Sequence, residues 1–331
     1  MSQGGISSIT ASGIAVTSVS GTANRITSTG GTTPVIDIAA TYVGQASITT
    51  LGTITTGTWN ATAVTVPYGG TGLTTATAYA VLCGGTTATG PFQSIASVGT
   101  ANQLLASNGA AALPTFKSLS IVHQAFTANG TYTPTSGMVY CIIECVGGGG
   151  ASGGAPATGA TQVSCGSGGA GGEYARGVYS AATIGASQTV TIGAGGTGAS
   201  GTTGGNGGTT SVGAVITAAG GTGGAVAGPA AAISSGYVAG GTGGSGGDLY
   251  IPGGIGQGSS ASFGTFFFPG DGGSTPFGMG PSGEAGAASS GIAGTGYGSG
   301  PSGQVNNQST AAQTGVNGKA GYVLVTEFVI A

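Results

Sequence analysis

Where hydrophobic and polar positions keep a period along this chain, the period is mostly two. In Met138–Val146 the odd positions Val139, Cys141, Ile143 and Cys145 are all apolar, and the even positions include Tyr140, Ile142 and Glu144. That pattern predicts a strand whose odd face looks into a core. Leu119–Phe126 predicts a second strand, joined to the first through Asn129-Gly130-Thr131-Tyr132-Thr133-Pro134. Further strands are predicted at residues 173–179, 188–192, 212–218 and 321–329. Shorter alternations lie at 14–17 and 63–66, and Gly-Gly turn signals fall at 30–31, 69–70 and 84–85. No helical period with caps runs for any length, Leu104 and Leu105 with their neighbouring alanines being the mild exception. The predicted fold class is all-β.

Residues 1–117 also contain a repeat. Gly21-Thr22-Ala23-Asn24-Arg25-Ile26 returns as Gly99-Thr100-Ala101-Asn102-Gln103-Leu104, an offset of 78 residues. A glycine-containing turn follows each copy, then a proline with a short apolar strand: Pro34-Val35-Ile36 and Pro114-Thr115-Phe116. Two copies of a β-hairpin unit are predicted. Units this thin bury no core alone and need stacking or partner chains.

Glycine divides the chain. Of 76 glycines, 19 fall in residues 1–146 and 57 in residues 147–321. They recur every third position at 195, 198, 201, 204 and 207, again at 240, 243 and 246, and at 280, 283 and 286. Three residues per turn is the repeat of the polyproline II helix, which has no internal hydrogen bonds. A residue without Cβ lets backbones approach closely. The prediction is a β-sandwich-like domain with glycine-rich loops packed side by side as extended helices, bonded laterally through their backbones. The competing reading is a flexible Gly/Ser linker, against which stand the flanking strands and the maintained triplet register.

Charge is nearly absent: four Lys+Arg and seven Asp+Glu in 331 residues, for a net charge of −3. Four scattered cations cannot neutralise a phosphate backbone, so no nucleic-acid partner is expected. Acid–base catalysis needs titratable groups, and no enzyme is expected. The seven carboxylates are widely spaced, and His123 lacks a local triad partner. Cys83, Cys141, Cys145 and Cys165 form no C-x-x-C pair, and Cys141 and Cys145 stand about 13 Å apart on a strand, too far to bridge. They read as small buried residues, with no metal and no cofactor expected. The apolar runs are too short for a spanning helix, so no membrane insertion is expected. The first residues carry no secretory pattern, which leads one to expect synthesis in a cytoplasm.

The candidate adhesive residues are aromatic. Phe263-Gly264-Thr265-Phe266-Phe267-Phe268-Pro269 is followed by Phe277 and Met279 and preceded by Tyr250. Consecutive phenylalanines in an extended chain cannot all face one core. Two readings stand open: a sticky tip for a partner surface, or a small core capping the glycine bundle.

At this point the residues suggest a family. Thr50-Leu51-Gly52-Thr53-Ile54-Thr55-Thr56-Gly57-Thr58-Trp59-Asn60-Ala61-Thr62-Ala63-Val64, followed by Pro67-Tyr68-Gly69-Gly70-Thr71-Gly72, resembles the repeat of tailed-bacteriophage tail fibre proteins. The stretch from Gly99 to Phe116 looks like a second fibre repeat. Phe126-Thr127, Gly130-Thr131-Tyr132-Thr133-Pro134, Cys145-Val146-Gly147-Gly148-Gly149-Gly150 and the closing Gly318-Lys319-Ala320-Gly321-Tyr322-Val323-Leu324-Val325-Thr326-Glu327 are similar to the glycine-rich domain ending many phage fibres and adhesins. No extended coiled-coil shaft is present in the sequence.

The resemblance implies a homotrimeric virion fibre made in the host cytoplasm. Residues 1–45 would attach it to tail or baseplate proteins, 46–117 would be the fibre repeat region, and 118–331 the tip. The tip would meet a host surface glycan or outer-membrane protein, with Tyr250, Phe263, Phe266, Phe267, Phe268, Phe277 and Met279 as receptor-binding candidates. Alternatives are a head-decorating fibre, an extracellular glycine-rich adhesin and an ice-binding protein.

Overall fold

The computed structural model describes residues 26–29, 35–40, 56, 64–68, 70–286 and 288–331. The chain divides into two compact units, residues 1–63 and 64–331. The predicted alternation at 14–17 and Trp59 lie outside the described residues.

The repeat is a repeated hairpin. In the first unit Ile26–Ser28 pairs antiparallel with Ile36–Ile38, with Ile26 opposite Ile38. In the second unit Leu104–Ala106 pairs with Thr115–Lys117, with Leu104 opposite Lys117. The first strands keep the 78-residue offset and the second are displaced by one residue, because the second loop is one residue longer. Large apolar side chains stay exposed in both hairpins: Ile36 and Ile38 in one, and Leu104 and Leu105 in the other. The strand expected at 63–66 is not formed where it is described. Val66–Tyr68 is a 3-10 turn instead, closed by the Tyr68 amide donating to Thr65 O at 3.0 Å. Pro67 has no amide to give a ladder.

A sandwich begins at residue 119. Its strands are β1 (Leu119–Phe126), β2 (Gly130–Tyr132), β3 (Met138–Val146), β4 (Tyr174–Ser180), β5 (Gln188–Thr191), β6 (Thr210–Val212), β7 (Ile216–Ala218), β8 (Leu249–Ile251) and β9 (Tyr322–Ile330). Five form one sheet in the order β8-β4-β3-β9-β1, and four form another in the order β7-β6-β5-β2, all neighbours antiparallel. The predicted odd face of β3 points inward at Cys141, Ile143 and Cys145, which are fully buried. They pack with Val323, Val325 and Val329 of β9 and with Tyr132, Val190, Val212 and Ile216 of the facing sheet. Val139 departs from the expected odd face and is exposed, because the β3–β9 register shifts beside it. The strand expected at 212–218 is a hairpin, β6 and β7. It turns at Gly213 with φ +50°, and the Val215 amide bonds Val212 O.

Between the strands runs a bundle of glycine-rich helices. Along 147–154 successive amides point in three directions in rotation. Those of Gly147, Gly150 and Gly153 donate to Glu173, Ala170 and Ser167; those of Gly148, Ala151 and Gly154 to Gly208, Gly205 and Thr202; those of Gly149 and Ser152 to Lys319 and Val316. Residues 167–173 repeat the scheme: Ser167, Ala170 and Glu173 donate to Ala225, Thr222 and Ala219, Gly168 and Gly171 to Gln257 and Gly254, Gly169 and Gly172 to Pro301 and Gly298. Donors rotating with period three are the mark of polyproline II helices, and acceptor numbers that fall as donor numbers rise show that these neighbours run antiparallel. The interior is therefore made of backbone, and its cohesion comes from satisfied amides where side chains would ordinarily interdigitate. A Cβ on Gly150, Gly169 or Gly172 would overlap a neighbour's carbonyl oxygen, that of Thr222, Gly150 or Gly147.

The triplets are shorter than the sequence suggested. The run from Gly195 to Gly207 turns back at Gly201, φ +61°, and splits into two helices. Gly240 packs against Gly253, but Gly243 and Gly246 take φ of +102° and +83° and so leave the polyproline II conformation.

At the far end of the bundle a second, smaller core closes the structure. Val163–Gly166 is flanked by Val226–Ala230 and Gln304–Asn306, and Ser260–Ser262 by Ala232–Ser234 and Phe266–Phe268. Val163, Cys165, Ala261 and Val305 are buried together there.

Candidate functional site

Polypeptide direction gives this domain two ends. Leu119 lies opposite Ile330, and the Ser118 amide donates to Ala331 O at 2.9 Å, so the chain enters at the end of the sandwich away from the bundle. Phe126 and Val146 reach the bundle side, where 147–154 leads outward to the small far core. Seven residues of such a helix span about 20 Å at ~3.1 Å each. The phenylalanine segment belongs to that far core.

There Ser262 and Phe266 face each other across a three-residue loop, with Gly264 at φ +72°. That is the left-handed position short hairpin loops require. Alternation then sorts the phenylalanines. Phe267 packs inward against Val163, Cys165, Ala261 and Val305. Phe266 and Phe268 share the outer face, their ring centroids 5.5 Å apart at 32°, and are 38% and 58% exposed. Phe263 in the loop is 38% exposed. These strands and their loop carry no charged side chain. Alternation thus divides the segment: Phe267 belongs to the small core, whereas Phe266 and Phe268, with Phe263 in the loop, form an exposed apolar cap.

The other candidates lie at the junction of sandwich and bundle. Tyr250 is half-buried on β8 against the sandwich core, its hydroxyl taking the Gly247 amide. Phe277 is wedged between Tyr174 and Tyr322, at centroid distances of 5.8 and 5.4 Å, and Tyr297 stacks on Tyr322 at 4.5 Å. Tyr174 donates to Glu144 Oε1 at 2.6 Å, and burial followed by that carboxylate pushes its phenol well up. Met279 is exposed near Phe277. The structure does not bring Tyr250, Phe277 or Met279 to the far cap.

Two buried carboxylates escaped the sequence reading. Glu327 is fully buried and accepts from Tyr132 Oη (2.8 Å), the Thr135 amide (3.0 Å), Thr135 Oγ1 (2.5 Å) and Gln124 Nε2 (3.3 Å). Burial pushes its carboxyl up, and those donors outweigh burial, so the net displacement is downward. Its signal was in the sequence: it falls in phase with Val323, Val325 and Val329. Glu173, 3% exposed, accepts the amides of Ala219 (3.0 Å) and Gly244 (2.7 Å), and so ties two bundle segments to one side chain. All four cysteines are free, and all but Cys83 are buried. Burial, with the nearby Glu173 charge, pushes the Cys145 thiol up to about 12, and burial raises Cys141 and Cys165 as well. These thiols are protonated at neutral pH, which suits packing. His123 stands exposed on β1, Nδ1 3.0 Å from Thr326 Oγ1. Among the described residues no helix is long and apolar enough to cross a membrane, and no group of three or more His, Cys, Asp or Glu side chains could hold a metal ion.

Fold and cap define an all-β protein in which a sandwich carries a hydrogen-bonded bundle of glycine helices. The chain belongs to the family described as "Glycine-rich domain", whose model matches residues 124–326, well over half its length. The match begins in β1 and ends in β9, so it takes in sandwich, bundle and far core together. No curated protein matches the chain.

Proposed function

We propose that the chain is a non-enzymatic structural fibre protein of a tailed-phage virion, assembled as a homotrimer, that attaches to host cells through the far end of its glycine-rich domain. The observation that carries this reading is the polarity of residues 118–331. The chain enters at one end, and exposed Phe263, Phe266 and Phe268 lie at the other, across a rigid bundle. A partner held at the entry end leaves the cap outermost. The Trp59-to-Gly72 motif supports the virion assignment by its likeness to tail fibre repeats. Hydrogen-bonded backbone packing suits a passive, durable element. The cap, apolar and uncharged, favours contact by desolvation with an outer-membrane protein or with the apolar face of a surface glycan.

Antibodies raised against residues 118–331 provide the test. Labelling at the free end of a virion fibre, with blocked adsorption to the host, is the expected result. Labelling only at the capsid, without an effect on adsorption, would favour a head-decorating fibre, and no labelling of virions would contradict the proposal.

A further inference from the structure

An antiparallel sheet with one face in water alternates apolar and polar residues, whereas a sheet covered on both faces reads as a near-continuous apolar run. Two of the three interior strands of the five-stranded sheet read in the second way: Met-Val-Tyr-Cys-Ile-Ile-Glu-Cys-Val in β3 and Tyr-Val-Leu-Val-Thr-Glu-Phe-Val-Ile in β9. The facing sheet covers only one side. On the other, Leu119, Ile121, Tyr140, Val178, Leu249 and Ile251, contributed by four strands, are each 40–57% exposed. Tyr140 stacks there on Phe328, with centroids 4.4 Å apart. The charged pair on this face, Arg176 and Glu144, are direct cross-strand neighbours and compensate each other.

We propose that this outer face is where copies of the chain meet, sheet against sheet. The inference deepens the fibre reading, which requires copies to meet and does not say where. Three features favour a second copy over a foreign partner. Five strands ~4.8 Å apart and about six residues deep present roughly 500 Å² per copy, so two copies bury roughly the 1,000 Å² a specific interface needs. A flat face with compensated charge does not repel the same face of neighbouring copies, so three such sheets can pack around the three-fold axis a trimer has, at the ~10 Å spacing of packed sheets. Exposed apolar side chains also precede the sheet in sequence, at Leu104 and Leu105 of the hairpin before Leu119.

Light scattering on the full chain tests this, with an Ile121→Lys/Val178→Lys variant and a Phe268→Lys control at the far cap. The expected result is an oligomer for wild type and control. The double variant should give a chain-mass monomer at the same concentration with an unchanged far-UV spectrum. Persistence of the oligomer in a folded double variant would overturn the inference and leave the trimeric fibre standing on another interface. A wild-type monomer would overturn both the inference and the trimer, while attachment through the cap is judged separately on virions. A monomer whose face captures another virion protein would likewise overturn it. Should the lysines unfold the sheet, Val178→Cys under mild oxidation replaces them: a dimer linked through residue 178 supports the inference, and its absence from an intact oligomer overturns it.

Discussion

Glu327 occupies a position where the alternation of the last strand calls for another valine, and four donors surround it. Removing the carboxylate leaves those donors buried and unpaired. Glu327→Ala should therefore cost about 3 kcal/mol, read as a lower urea midpoint of the full chain at unchanged slope. The sign of the pH dependence follows from its lowered pKa. The stabilisation is fully present above the ordinary glutamate value of about 4.3 and is lost as pH falls through the lower folded value. The melting temperature should hold from neutral pH to about pH 5 and drop below about pH 4, with a shallower drop in Glu327→Gln. Equal acid limbs in the two proteins would remove Glu327 as the cause. Glycines sort by what surrounds them. Gly169→Ala would drive a methyl into the Gly150 carbonyl and should cost about 3 kcal/mol or prevent folding. Gly236→Ala, with open space around it, should change stability by less than about 1 kcal/mol.

At the scale of elements, the sequence disclosed what alternation can disclose. Leu119–Phe126 and Met138–Val146 form as expected because apolar residues in phase over eight or nine positions leave a strand little choice of face. The hairpin at 210–218 was missed because its turn glycine interrupts a run of otherwise strand-forming residues. The short strands of the far core were missed because three residues carry too little period to detect. Bundle packing was legible from the triplets. Which glycines pack and which turn was not, since both roles require the same missing Cβ. The bundle has no side-chain core of its own, so its rigidity rests on lateral amide bonds. Hydrogen exchange reads them directly: amides of 147–154 and 167–173 should be protected as strongly as those of β3 and β9. Exchange at loop rates would return these residues to the flexible-linker reading.

For the molecule as a whole, the division of labour within one strand is the main result. Phe267 holds the far core, while Phe266 and Phe268 face outward and contribute little to it. Composition located this cluster without saying which ring faces out. Tyr250, Phe277 and Met279 are near it only in sequence, since the chain returns through the bundle to the sandwich between Phe268 and Phe277. Phe267→Ala should lower stability by about 2 kcal/mol, whereas Phe266→Ala and Phe268→Ala should leave the melting temperature within a few degrees of wild type. The measurement that bears most directly on the cap as the attachment end is host-cell binding by the labelled full chain, wild type against the Phe266→Ala/Phe268→Ala pair. The folded double variant should lose at least tenfold in binding. Binding equal to wild type would contradict it.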